Sequence, residues 1–268
     1  MENIYIRYSP KEWAKLTKEK LKKEISLMSE KPSLTIINAQ ETPASLSYVK
    51  GKIKDCEDVG IKVQYIGEDK ISSLTELRSA LILSNSSGII VQEPTPFDKS
   101  AYTKLIDSLR DVDGAKRQSY FTPATPLGII RWLEGNEVNL EGEDVCIIGR
   151  SDLVGKPLAK LMIDKNATVT LCHSKTKNLE EKIRAADVVV AAIGNPEVIN
   201  ENWLNDGRKR LVIDVGINRV NGKLVGDIGN YDLVDGYCTP VPGGVGLLTR
   251  VALLENVVKA HKLQGRHT

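Results

Sequence analysis

Two α/β domains, each with a parallel sheet and arranged around a cleft, are what this sequence predicts, and three observations predict them. Short apolar, β-branched runs alternate with longer amphipathic stretches along nearly the whole chain, the order that builds parallel strands joined by helices. The alternation breaks once, between Asp113 and Thr125, where Gly114, Arg117, Gln118, Ser119 and Pro123 interrupt the periodicity. Aromatic residues make up only 5% of the 268, so the core must rest on Val, Ile, Leu and Ala, as the core of buried parallel strands does.

The elements follow in order. In the first helical pattern Trp13, Leu16, Leu21, Ile25 and Met28 share one broad face. Three strands are expected before the break, over residues 34–38, 62–67 and 88–92. Between the first two, Thr42 is a good N-cap and Pro43 a good first helical residue, which starts a helix there. Four strands are expected after the break, over 144–149, 168–172, 188–193 and 211–215, and a last helix over about 247–262. The second half has the order and spacing of a dinucleotide-binding fold, which makes it Rossmann-like.

Bulk properties exclude several functions. A net charge of +2 gives no basis for nucleic-acid binding, and the basic stretch from Lys18 to Lys23 includes or adjoins acids at helical spacing, as a solvated face does. The opening MENIYIRYSPKEW has no apolar stretch of signal-peptide length, and the longest strongly apolar run, 188–193, is too short to span a bilayer. No membrane association is therefore expected. Cys56, Cys146, Cys172 and Cys238 form no CxxC pair. They read as free thiols in a reducing cytoplasm, with neither a disulfide framework nor a metal site.

The sharpest local signal is DVCIIGRSDLVGKPLAKLM, residues 144–162. A strand ends at Gly149, a turn carries Arg150 and Ser151, and a helix opens near Gly155. Glycines suit a backbone that turns tightly and approaches a pyrophosphate, and the helix N-terminus offers free N–H groups. The Gly149-x5-Gly155 spacing is not GxGxxG, so the loop alone fits a ligand-free strand–helix turn nearly as well. The next strand ends TVTLCHSKTKN, with His173, Ser174 and Lys175 where an NAD-selective fold places an acid. That cationic, hydroxyl-bearing end, with Arg150 nearby, suits the 2′-phosphate of NADP. AAIGNP (191–196) and DVGIN (214–218) end two further strands, and ligands bind at strand C-termini in such sheets.

Upstream, Tyr48 and Lys52 stand at i and i+4 on the helix begun by Thr42. The ring can pack on a flat substrate, and the amine, if desolvated, can move protons near neutrality. Spacing alone heavily favours a plain surface lysine beside a packing tyrosine. The strand ending in Val91 and Gln92 continues as VQEPTP, and RDVDG places Asp111 and Asp113 in a turn. A carboxylate matches the parallel N–H donors of a pterin edge, although Asp-Val-Asp-Gly is also ordinary turn chemistry. YCTPVPGGVGLLT (237–249) is too rich in Pro and Gly to be mere connection, yet it lacks the Gly-Lys-Ser/Thr ending of a nucleoside triphosphate loop.

In this order PASLSYVKGKIKDC, GIIVQEPTP, RDVDG, FTPATPLG, IIGRSDLVGKP, TVTLCHSKT, IDVGIN, KLVGDI and TPVPGGVGLLT resemble the bifunctional methylenetetrahydrofolate dehydrogenase/cyclohydrolase family over nearly the whole chain. The resemblance implies that Tyr48 stacks on the folate, Lys52 is the catalytic lysine with Gln92 as its hydrogen-bonding partner, and Asp113 grips the pterin. It assigns Gly149, Arg150, Ser151, Ser174 and Ile217 to NADP, with Gly155 opening the helix beneath it. Val91 and the run from Pro242 through Gly243 and Gly244 to Gly246 fall on the substrate side. It further implies a homodimer whose final helix packs back on the first domain. Residues 1–120 with 247–268 then form the substrate and catalytic domain, and 121–246 the NADP-binding domain.

The implied chemistry is NADP-dependent oxidation of 5,10-methylenetetrahydrofolate to the methenyl form, then hydrolysis to 10-formyltetrahydrofolate with Lys52 as general acid/base. Gln92 is expected to hold the amine and, by hydrogen bonding to its neutral form, to keep its pKa low. Three stretches depart from the family's pattern: AKRQSYFTPA is shorter, Glu93 and Thr95 replace leucines, and Ala124 replaces a cysteine. The first two define the alternative expectation, a dehydrogenase with weak or absent cyclohydrolase activity.

Overall fold

Strand burial follows strand position in the sheets. In the computed structural model, which describes residues 6–116, 118–196 and 198–265, the chain forms two compact units, each assembled from two stretches. One joins the residues up to Ala14 to Thr125–Thr249; the other joins Lys15–Ala124 to the residues from Arg250 onward. Arg117, among the residues that break the periodicity, and 266–268, the end of the expected final segment, lie outside the described residues.

The unit containing Lys15–Ala124 has a parallel sheet of β1 (Ser33–Ile37), β2 (Lys62–Ile66) and β3 (Gly88–Val91) in the order β2-β1-β3. Central β1 is buried on both faces, whereas β2 at the edge is largely open. On the other edge, β3 bridges to Asp111. Ile37 and Ile89 pack with Leu77, Leu81, Tyr102 and Ile106 into one core. The helices here are α1 (Pro10–Ser26, whose first residues belong to the other unit), α2 (Pro43–Val59), α3 (Leu74–Leu83) and the short α4 (Lys99–Thr103). Met28 falls just beyond α1, because the helix stops at Ser26. At the start of α2, the Thr42 hydroxyl accepts from the Ser45 N–H and the Ser45 hydroxyl accepts from the Thr42 N–H. This reciprocal pair satisfies two N–H groups that a bare helix end leaves open.

The other unit carries β4 (Asp144–Ile148), β5 (Thr168–Cys172), β6 (Val188–Ala191), β7 (Arg210–Asp214) and, in chain order after a hairpin, β10 (Gly236–Cys238). All are parallel in the order β10-β7-β6-β4-β5. Alternate residues feed two cores. Val145, Ile147, Val188, Val190, Leu211 and Ile213 point to one face, and Cys146, Ile148, Val189, Ala191 and Val212 to the other. That period of two buried on both faces is why the strands read as unbroken apolar runs. α5 (Ala124–Gly135) and α6 (Gly155–Ile163) cover the first face, and Ile183 of α7 (Leu179–Ala185) packs on the second. The hairpin β8–β9 (Asn218–Val220, Lys223–Val225) and β10 were not expected from the sequence. At three residues each they are too short to show a hydrophobic period. The last helix, α8 (Val245–Leu263), gives its residues through Thr249 to this unit and the rest to the other. Among the described residues no helix is long and apolar enough to cross a membrane.

Candidate active site and dinucleotide loop

In an open parallel sheet, a crevice forms where the chain reverses its winding direction. In the three-stranded sheet that point lies between β1 and β3, since the chain passes from β1 to β2 on one side and then crosses to β3 on the other. Gln92 follows β3 directly, its N–H bonded to the Ile37 carbonyl at 2.8 Å. The Lys52 Nζ on α2 donates to Gln92 Oε1 at 2.8 Å, and Gln92 Nε2 donates to the Glu93 carbonyl at 2.7 Å. The second bond fixes which end of the amide faces the lysine. Tyr48 lies one turn before Lys52, partly exposed at 38%.

Burial drives the Lys52 ammonium toward its neutral form; the Asp113 carboxylate opposes this and the Arg250 guanidinium reinforces it. Neighbouring Cys56 stays a neutral thiol, since burial pushes it up to about 12. One expectation needs correcting here. Gln92 presents a carbonyl oxygen to the amine, and an acceptor favours the ammonium if it favours either form. Gln92 therefore positions Lys52, while burial and Arg250 lower its proton affinity. Glu93 is not among the charges acting on Lys52. Its Oε1 instead accepts from the Tyr102 hydroxyl at 3.1 Å.

The two aspartates of RDVDG have separate tasks. Asp111 is fully buried and its carboxylate accepts from the Ala115 N–H at 3.0 Å and the Lys116 N–H at 2.8 Å, closing the turn. Asp113 is half-buried and its charge reaches Lys52. Tyr48, Lys52, Val91, Gln92 and Asp113 thus all belong to the same unit.

The switch point of the five-stranded sheet lies between β4 and β6. Gly149 ends β4 with φ +125°, and a Cβ on it would lie 2.1 Å from the Ala192 carbonyl oxygen after β6; a Cβ on Gly155 would lie 1.9 Å from the Gly149 carbonyl oxygen. Only glycine lets these three backbones come so close. α6 begins at Gly155 with no side chain capping its N-terminus, and Pro157 in its first turn removes a donor that the helix would leave unpaired anyway. A close-packed glycine turn opening onto an uncapped helix fits a pyrophosphate. Arg150, Ser151 and Ser174 are exposed at the ends of β4 and β5. His173 Nδ1 accepts from the Lys175 N–H at 3.1 Å, which leaves the ring proton on Nε2 in the neutral form. Ile217 follows β7, 38% exposed, and lies beside the turn of Pro242, Gly243 and Gly244, since a Cβ on Gly246 would touch its side chain at 3.4 Å. That turn belongs to the unit with the five-stranded sheet.

Sequence reasoning missed three residues that organise these sites. Asp227 accepts from the Ile193, Gly194 and Asn195 N–H groups at 2.6, 3.0 and 3.0 Å, so it shapes the loop after β6. Asp214 accepts from the Asp227 and Ile228 N–H groups, and burial pushes its carboxyl up to about 6. Arg250 is the third. A lone cation in VGLLTRVALL, and an acid closing KLVGDI, were the available signals.

A parallel sheet with a glycine turn at its switch point, and a desolvated lysine on the helix beside a second sheet, define a dinucleotide-dependent α/β enzyme. Residues 9–113 match the catalytic domain of tetrahydrofolate dehydrogenase/cyclohydrolase, and residues 123–265 match that family's NAD(P)-binding domain. The chain belongs to the tetrahydrofolate dehydrogenase/cyclohydrolase family. It is 39% identical over 275 residues to the bifunctional protein FolD of Bacillus cytotoxicus, covering 95% of this chain and 96% of that one. Among solved structures, the bifunctional FolD methylenetetrahydrofolate dehydrogenase/cyclohydrolase of Campylobacter jejuni matches with TM-score 0.83 and 34% identity over 96% of this chain and 98% of its own. The Trypanosoma brucei N5,N10-methylenetetrahydrofolate dehydrogenase-cyclohydrolase, complexed with NADP and an inhibitor, matches with TM-score 0.87 and 29% identity over 97% and 98%.

Proposed function

We propose that this chain oxidises 5,10-methylenetetrahydrofolate with NADP and hydrolyses the methenyl product to 10-formyltetrahydrofolate, with Lys52 moving the proton in the hydrolytic step. The observation that carries the reading is the Lys52–Gln92 bond of 2.8 Å on an amine that burial drives toward neutrality. A neutral, oriented amine can take a proton from the water that attacks the methenyl carbon, then return it to the ring nitrogen as its bond to that carbon breaks, while the remaining hydroxyl proton of the adduct passes to bulk water and leaves the formyl carbonyl. Tyr48 stacks on the pterin, Asp113 binds its N–H edge, and Val91 with the turn at Pro242, Gly243 and Gly244 contacts the folate. NADP, when bound, supplies the hydride acceptor at its nicotinamide C4. Gly149, Ser151 and Gly155 hold its pyrophosphate, Arg150 and Ser174 its 2′-phosphate, and Ile217 its nicotinamide end. The substrate and catalytic role falls to 1–120 with 247–268 and the NADP role to 121–246, in a cytoplasmic homodimer. Tyr102's hold on Glu93 supports the bifunctional reading, because it engages the carboxylate that stands next to the site.

The test uses purified protein with methylenetetrahydrofolate and NADP or NAD, following reduced cofactor and folate product separately. NADP reduction with 10-formyltetrahydrofolate formed faster than spontaneous hydrolysis is expected. In Lys52→Ala, hydrolysis is lost while NADP binding and the fold remain; full hydrolysis in that variant removes the role given to Lys52. Accumulation of the methenyl form by the unaltered protein would leave a dehydrogenase alone.

A further inference from the structure

Arg250 is the cation whose charge acts on Lys52. Arg250, on α8, forms an ion pair through Nε with one oxygen of the Asp55 carboxylate at 3.0 Å, and Lys18 Nζ donates to the other oxygen of the same group at 3.0 Å. Asp55 is only 6% exposed and stands three residues beyond Lys52, on the adjoining part of the α2 surface. A second, independent contact places the guanidinium. A Cβ at Gly51, the residue before Lys52, would lie 2.3 Å from an Arg250 terminal nitrogen. Arg250 thus fills the space that any larger residue at 51 would need.

The charges around Lys52 come from every side. On α2 there are Asp55 and the neutral thiol of Cys56; from the turn after β3 comes the uncharged Gln92; from the RDVDG turn comes Asp113; from α8 comes Arg250; and Lys18 of α1 is engaged by Asp55 and Asp58. With Arg250 in place, one anion, Asp113, acts on the amine uncompensated. Without it, Asp55 keeps Lys18 as partner, and the lysine loses a nearby cation. That change favours the ammonium.

We infer that Arg250 is a positioning residue for the hydrolytic step: clamped by Asp55 and seated over Gly51, it holds a cation beside the Lys52 amine. The inference rests on the proposed role of Lys52 and adds a residue that tunes that lysine alongside its burial.

The experiment is the pH profile of kcat/KM for methenyltetrahydrofolate hydrolysis, corrected for the spontaneous reaction, in the unaltered protein and in Arg250→Met, Gly51→Ala and Lys52→Ala. Titration of the Lys52 side chain by NMR accompanies it, since that reading needs no activity. Arg250→Met is expected to move the acid limb and the Lys52 titration upward by about 0.5–1 pH unit, which lowers the rate below the limb by roughly 3- to 10-fold. Gly51→Ala pushes the guanidinium aside while adding a better helix former. It is expected to move both readouts the same way without loss of melting temperature, and it answers the question if Arg250→Met does not fold. A limb and a titration that stay in place in both variants, while Lys52→Ala is inactive, overturn the role of Arg250 alone. Hydrolysis surviving in Lys52→Ala overturns the reading beneath it.

Discussion

Replacing Gly155 by alanine separates the two activities by geometry. The added methyl would sit 1.9 Å from the Gly149 carbonyl oxygen and 3.1 Å from the Arg150 Cα, where ordinary contact begins at 3.4 Å. The atom in the way is backbone, so no rotamer change relieves it; the start of α6 must retreat from the β4 turn by about 1.5 Å or the turn must open. Overpacking of this kind costs about 1–3 kcal/mol of stability. Its functional cost lies in the retreat of the helix N-terminus from the place where a pyrophosphate would bind. Losing one hydrogen bond to a charged group costs about 1.5–3 kcal/mol, roughly 10- to 100-fold in affinity. Hydrolysis of methenyltetrahydrofolate consumes no cofactor, and the residues proposed for it, Lys52, Gln92 and Asp113, lie outside this loop. The assay is therefore paired: the KM for NADP in the oxidation, and the hydrolysis rate on methenyltetrahydrofolate without cofactor. A 10- to 100-fold rise in the first with little change in the second is expected. An unchanged KM for NADP would refute the assignment of the Gly149–Gly155 turn to the cofactor.

Three further outcomes are expected. Asp111→Ala strands two turn N–H groups and should cost about 1–3 kcal/mol in chemical denaturation, whereas Asp113→Ala should leave stability nearly unchanged and raise the folate KM. Thr42→Ala removes half of the capping box on α2 and should cost about 1 kcal/mol by the same denaturation measurement. The Asp214 carboxyl, pushed up to about 6 by burial, holds a proton in the folded state that an unfolded carboxylate near 4 has released. Its contribution to stability is therefore present in full below about pH 4 and is lost as pH rises through about 6. Stability measured from pH 5 to 7 should fall less steeply in Asp214→Asn than in the unaltered protein, and equal slopes would remove this titration.

How much of this was legible in the sequence depended on how local each signal is. The seven main strands were readable because their positions are apolar on both faces in the central strands and on alternate residues in the edge strands β2 and β5; β8, β9 and β10 were not, because three residues carry no period. Strand ends were read up to two residues long: Gln92, Gly149 and Ile193 continue the apolar or extended pattern but lie beyond the last ladder pairing. The Thr42–Pro43 helix start was readable because its capping chemistry lies in adjacent residues, and the opening of α6 because Gly155 and Pro157 mark the turn into it. Lys52 and Gln92 were found by spacing and resemblance. Their bond spans forty positions and depends on β3 lying beside β1. Asp227 and Arg250 were missed for the same reason, since the groups that give them meaning are distant in sequence. The separate tasks of Asp111 and Asp113 follow from which carboxylate turns inward, and two aspartates one residue apart do not reveal that.

The unit that holds Lys52 is written in two instalments, Lys15–Ala124 and the stretch from Arg250 onward. On the ribosome the lysine, its glutamine and Asp113 emerge first, and Arg250 follows roughly ten seconds later at ordinary elongation rates. Until then the nascent chain carries the acid beside its lysine without the opposing guanidinium. The full set of charges around that amine is in this sense a property of the finished molecule, completed by the last helix to be made.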